Sequence, residues 1–198
     1  ICLLFVSACI TPIHAHADQQ APLAELGVYS ADARAARIAS LKQQYRIKLD
    51  EKERALVAAR CSLAQDSLKK VATRLGQTKA SRDTTYINTI SALIQLKALI
   101  EAKQIDTSSI DLLIVSYQQQ IVQFDNAVSQ YDLSLEDATT LDCTTLPEDF
   151  RAALEGVRAA RKQVVDAASQ IRETTKSNLK TTFDSIILKL QTGSTNGQ

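Results

Sequence analysis

The sequence predicts an all-α protein, and specifically a long antiparallel helical hairpin with coiled-coil packing. Three observations lead there. Helix formers (Ala, Leu, Gln, Lys, Arg, Glu) dominate, while five glycines, three prolines and 5% aromatic residues are too few for a β-sandwich or barrel. Apolar side chains recur in an unbroken heptad rhythm from Ile110 to Leu135. Two cysteines, Cys61 and Cys143, stand where a hairpin brings them to about the same level.

The chain opens with ICLLFVSACITPIHAHADQQ and no methionine. The run from Ile1 to Ile10 is too short to span a bilayer, and Pro12 breaks it. Ala15-His16-Ala17 then offers a small-x-small cleavage site. The expectation is a secretory signal peptide over 1–17, truncated at its start, with a mature chain from about Asp18. A second reading takes Val6-Ser7-Ala8-Cys9 as a lipobox, with Cys9 acylated. Ile10 is an awkward neighbour for that motif, and plain cleavage is preferred. The expected destination is extracytoplasmic, secreted or at the cell surface, or anchored through Cys9 on the second reading. Cleavage removes both histidines and two of the four cysteines, leaving Cys61 and Cys143. An even cysteine count in an exported chain favours a disulfide.

Residues 18–29 read as a linker, 30–192 as one elongated helical domain, and 193–198 as a frayed tail. The first helix starts near Ser30 and carries Ile38, Leu41, Tyr45, Leu49, Leu56 and Leu63 onward to Leu75. Residues 76–85, GQTKASRDTT, hold no large apolar side chain; they are a turn or a polar patch in one very long helix. Tyr86 to Ile100 is richly apolar. Asp106-Thr107-Ser108-Ser109 offers N-caps for the next helix. Its expected interface is Ile110, Ile114, Tyr117, Ile121, Phe124, Val128, Tyr131 and Leu135. The last helix runs from about Leu146 to Leu190, with Thr145 to Glu148 as a capping box and Pro147 in its first turn. Its apolar phase slips between Ile171 and Leu179.

Cys143 helps choose between two architectures. A turn at 76–85 gives an elongated four-helix up-down bundle, with Cys61 roughly 22 Å from the loop that holds Cys143. One helix over 30–104 followed by an antiparallel return arm makes position x face roughly 212 − x, which lets the two cysteines meet. The hairpin is preferred; the bundle, or a bundle head on a two-helix stalk, is the alternative. Alanines 55, 58 and 59 would then face Ala152, Ala153 and Gly156. A disulfide closing so large a loop would contribute roughly 4–5 kcal/mol.

The chemistry expected is binding rather than catalysis. A mature chain without histidine lacks the commonest general base and the commonest zinc ligand. There is no P-loop, no GxGxxG and no CxxC. No catalytic, metal or cofactor site is expected, and no small-molecule substrate. Carboxylates such as Asp50, Glu51 and Glu53 alternate with Lys48, Lys52 and Arg54 and read as a solvated face. Basic groups at Arg34, Arg37, Lys42, Arg46 and Lys48, and at Arg151, Arg158, Arg161 and Lys162, allow peripheral envelope contact. Their preferred reading is solubility with neighbouring acids. A net charge of +1 gives no case for nucleic acid.

ARCSLAQ (59–65), IEAKQIDTSSIDLL (100–113) and YDLSLEDATTLDCTTLPEDF (131–150) together resemble a group of exported coiled-coil proteins of candidate-phyla bacteria of the Saccharibacteria kind. The resemblance covers about residues 40 to 175. It implies a helix, a DT-type turn, a second helix and a cysteine loop before the last helix, and it implies no activity. The function expected is a non-enzymatic structural or interaction protein of the cell envelope, a spacer or partner-binding arm acting through its helices or by self-association. The alternatives are an extracytoplasmic holdase and a lipid-anchored accessory subunit of an envelope machine.

Overall fold

A computed structural model describes residues 30–193. The expected signal over 1–17, Cys2 and Cys9, the linker over 18–29 and the residues after 193 lie outside the described residues. The described chain forms α1 (Ala31–Gln44), α2 (Glu51–Glu101), α3 (Ser108–Thr140), α4 (Pro147–Glu173), a π-helical turn (Thr174–Asn178) and α5 (Leu179–Gly193).

Local chemistry sets each boundary. Ser30 caps α1 by accepting the Ala33 N–H at 3.1 Å. The chain leaves α1 through Arg46, whose φ of 50° is left-handed. It re-enters a helix at Asp50, where Asp50 and Glu53 form a reciprocal capping box, each side chain accepting the other's backbone N–H at 2.8 and 2.9 Å. Asp106 accepts the Ser108 N–H across the next reversal, at 3.1 Å. Thr107 is the N-cap of α3 but makes no side-chain cap. Pro147 starts α4, with Leu146 at the cap; Glu148 bonds Arg54 at 2.8 Å rather than closing a box with Thr145.

The preferred hairpin is overturned: the helices form a four-helix bundle. Two breaks decide it. The expected helix over 30–104 is interrupted at 45–50, so α1 is free to fold onto α4 and α3. The expected return arm reverses at 141–146, so α4 runs back along α3. Coiled-coil packing is overturned with it, because the heptad stripe of α3 does not meet one partner seam. Tyr131 and Leu135 pack with Cys61 from α2 and with Phe150 and Val157 from α4. Phe124 and Val128 pack with Tyr86 and Ile171. Ile110 and Ile114 pack with Leu93, Ile100 and Ile186. The stripe is therefore the inner face of a bundle, buried from several sides; only Ile121 of its eight residues stays half-buried.

The four helices are also not those of the bundle expected as the alternative. Residues 76–85 are helical throughout, and the fourth helix is the short α1. Within the bundle, α2 and α3 are antiparallel. The numbers of facing residues add to about 206, as equal rise in the two helices requires, in Cys61–Cys143, Lys79–Asp125 and Lys97–Asp111.

Gly156 lies under α1, not against the alanines of α2. A Cβ there would stand 2.9 Å from Leu41 Cδ1. The phase slip in the last helix is the π-helical turn, whose wider coil returns Leu179, Phe183 and Ile186 to the core side after Ile171. Thr174, buried in that turn, accepts a hydrogen bond from Gln120 Nε2 at 2.7 Å.

Candidate functional site

The reversal between α3 and α4 is fastened by a disulfide and by side-chain bonds to its backbone. Cys61 and Cys143 are joined, with Cα atoms 5.6 Å apart. Cys143 is completely buried. One turn along α2, Gln65 Nε2 donates to the carbonyls of Ala138, Thr139 and Leu141, at 3.3, 3.1 and 2.7 Å. These are carbonyls that the end of α3 leaves without intrahelical partners. Asp142 folds the loop into a turn by accepting from the hydroxyl and N–H of Thr144 and the N–H of Thr145. Those bonds, the Thr144 hydroxyl first, hold its carboxyl down at about 2. The partners of Cys143, of Gln65 and of Asp142 are all within the chain.

The basic groups of α1 are also turned inward. Arg37 and Arg34 meet the buried Asp137. Lys42 pairs with Asp149 at 2.6 Å, and its pKa is raised by that hydrogen bond first. In the second basic group, Arg151 and Arg158 pair with Glu155, and Lys162 with Asp166. Glu148 lies below the usual carboxylate range, held there by Arg54 and then the Leu49 N–H.

The outer flank of α2 and α3 is different. In the apolar stretch Tyr86 to Ile100, two heptad series offset by one residue take opposite fates. Tyr86, Leu93 and Ile100 are buried; Ile87 and Ile94, one position on, are 62% and 52% exposed. On α3, Val115 and Val122, also one heptad apart, are 50% and 58% exposed, and Leu112 is 73% exposed. The turn of about 100° per residue sets Ile87 and Ile94 just outward of Lys79 and Lys97, and Val115 and Val122 outward of Asp111 and Asp125. These are the residues that pair across the two helices, Lys79–Asp125 at 2.8 Å and Lys97–Asp111 at 2.7 Å. The aliphatic side chains thus form a strip along one flank, about 15 Å long at helical rise, between ion pairs that stand about 27 Å apart. Burial lowers the Lys79 pKa, but the hydrogen bonds that its ammonium donates to Asp125 and Asp83 outweigh it, so the pKa is raised. The pKa of Lys97 is raised, by Asp111 first.

The inner stripe is among the contact residues expected from the sequence; Ile87, Ile94, Val115 and Val122 are not. The signal was available: two apolar heptad series offset by one residue cannot both face the same core. Among the described residues no group of His, Cys, Asp and Glu is placed to hold a metal ion, and no helix is long and apolar enough to cross a membrane. No family model, no curated protein and no solved structure matches the chain. The resemblance to exported coiled-coil proteins is neither supported nor opposed by those comparisons.

Proposed function

We propose that the chain is an extracytoplasmic holdase: a disulfide-stapled helical bundle that holds unfolded polypeptide on an exposed aliphatic strip and acts by binding, not catalysis. The observation that carries this reading is the flank of Ile87, Ile94, Val115 and Val122 with Leu112. Such a strip is long enough for about four or five residues of an extended client. Aliphatic contact suits clients of varied sequence, because hydrophobic attraction is non-directional. The spacer or partner-binding arm had the α3 heptad stripe as its contact surface, and that stripe is occupied within the chain.

The test is light scattering from a urea-unfolded β-barrel protein diluted into buffer with the oxidised bundle. Suppression near equimolar ratio is expected, together with its loss in Ile87→Ser/Ile94→Ser/Val115→Ser/Val122→Ser. No suppression at tenfold excess ends the reading. Suppression that the fourfold variant retains removes the strip as its cause.

A further inference from the structure

We propose a second, separate binding site, a groove between α2 and α4 that takes a small anionic amphiphile, a monomeric molecule with a phosphate, sulfate or carboxylate head and a short alkyl body. The groove lies on the α4 side of α2, away from the aliphatic strip, and the inference does not rest on the holdase reading.

The groove exists because α4 packs along α3 and leaves α2 at a distance over the middle of the bundle. It holds about 570 Å³ of space. That is within the usual range for small-molecule sites, about 300–1,000 Å³. Its floor is apolar and aromatic: Tyr86, Tyr117 and Ile171 are buried, and Ala168 lines it beside them. Tyr86 is held edge-on to Tyr117 and Phe124, with ring centroids 6.1 and 5.6 Å apart.

The rim carries three cations, Arg82, Arg172 and Lys176, and no carboxylate. Elsewhere on the bundle, lysines 42, 79, 97, 162, 180 and 189 each meet an acid, whereas others such as Lys48, Lys52, Lys70 and Lys103 do not among the described residues; what sets the rim apart is that three cations line one groove. None of the three rim cations has an acidic partner among the described residues. Arg82 lies over the Phe124 ring at 5.7 Å, and its Nη1 is 3.4 Å from the Tyr86 hydroxyl. Arg172 donates to Ser169 Oγ at 3.0 Å. Like charges gathered over an apolar floor without counter-charge favour an anionic ligand, since each head group replaces mutual repulsion with attraction.

The π-helical turn contributes to this arrangement. Its wider coil sets the backbone that carries Thr175 and Lys176 along the groove edge, and the Gln120–Thr174 hydrogen bond fixes it there. From Val165 to Lys176 the α4 wall is about 16 Å long at helical rise, the reach of an alkyl chain of roughly ten carbons with its head.

The test is calorimetric titration of the oxidised protein with decyl phosphate below its micelle concentration. The expected result is saturable one-to-one binding, no binding of decyltrimethylammonium, and at least tenfold weaker binding by Arg82→Gln/Arg172→Gln/Lys176→Gln. Arg82 also packs on Phe124, so Arg172→Gln/Lys176→Gln, which touches no core contact, is measured beside it; at least a threefold loss is expected there. Absence of saturable binding overturns the proposal. So do equal binding of the cationic amphiphile, undiminished binding by the double variant, binding of an acidic peptide in place of decyl phosphate, and flotation with intact phosphatidylglycerol vesicles without binding of the monomeric probe.

Discussion

Arg37 and Asp137 meet through two hydrogen bonds across one hundred residues of chain: Nε to Oδ2 at 2.8 Å and Nη2 to Oδ1 at 2.6 Å. Asp137 is buried, and Arg34 Nε stands 3.5 Å from the same Oδ1 that Arg37 Nη2 contacts. This planar, two-point contact ties α1 to the last turn of α3. Asp137→Ala leaves two partly buried guanidinium groups without their acceptor. The expected loss is about 2–3 kcal/mol of unfolding free energy, measured by urea denaturation. Hydrogen exchange should rise first in 31–44. Unchanged protection of α1 would mean that Leu41 and Ile38 hold it without the ion pair.

The Cys61–Cys143 bond closes a loop of 82 residues in sequence separation. The chain-entropy relation gives about 4.5 kcal/mol for such a loop. Cys61→Ala/Cys143→Ala should lower thermal and urea stability by up to that amount. The reversal at 141–146 should lose exchange protection more than α5 does. A variant as stable as the oxidised protein would show that Gln65 and the Asp142 turn suffice.

Gly76 and Gly156 are both helical and should respond differently to alanine. A Cβ at Gly76 meets nothing within 4 Å. Gly76→Ala is expected to stabilise by about 0.8–1 kcal/mol, the propensity difference. At Gly156 the new carbon meets Leu41 Cδ1, and the gain should shrink or reverse as Leu41 moves aside. Equal gains at both positions would contradict the close approach of α1 to α4.

Asp106 and Asp142 bind their protons less readily than ordinary carboxyls. Each sits at about 2 against 3.8, the first held down by the Ser108 N–H and then Lys189, the second by the Thr144 hydroxyl and then Thr145. Depressed folded-state values contribute stability that is fully present above the unfolded pKa and is lost as pH falls through the folded one. The urea midpoint should therefore fall between about pH 4 and pH 2. Asp142→Asn should flatten that fall, and an identical pH profile for wild type and variant would exclude this turn as a contributor.

Ile87 and Ile94 are exposed, so replacing them should leave the fold alone. Ile87→Ser/Ile94→Ser is expected to change unfolding free energy by no more than about 0.5 kcal/mol per site. Leu93→Ala, one position away and buried, should cost about 2–5 kcal/mol. Comparable losses would mean that the outward series is packed after all.

Several features were legible in the sequence because they are local or periodic. Alternating steps of three and four place Ile110 to Leu135 on one face whatever covers that face. Ser30 and Pro147 mark helix starts within a turn of themselves. Equal rise in antiparallel helices set the α2–α3 register near its observed value, and with it the meeting of Cys61 and Cys143. The capping box of Asp50 and Glu53 was equally local, but it sat in a run of charges that reads as a solvated face, so the break before α2 went unseen.

By itself, then, the sequence determined an all-α chain, its inner stripe and the partner of Cys143. Tertiary structure decided how many helices close over that stripe. An a/d pattern specifies that a face is buried, not by what, and one partner or three satisfy it equally. The choice rests on contacts between distant segments: Leu41 over Gly156, Arg37 on Asp137, and Gln120 on Thr174. Each joins residues 54 or more positions apart, and no window of sequence short enough to show a period contains both ends. The same closure decided which apolar residues stay outside, because α1 and α4 cover one side of the α2–α3 pair and leave the flank of Ile87 and Val122 to solvent.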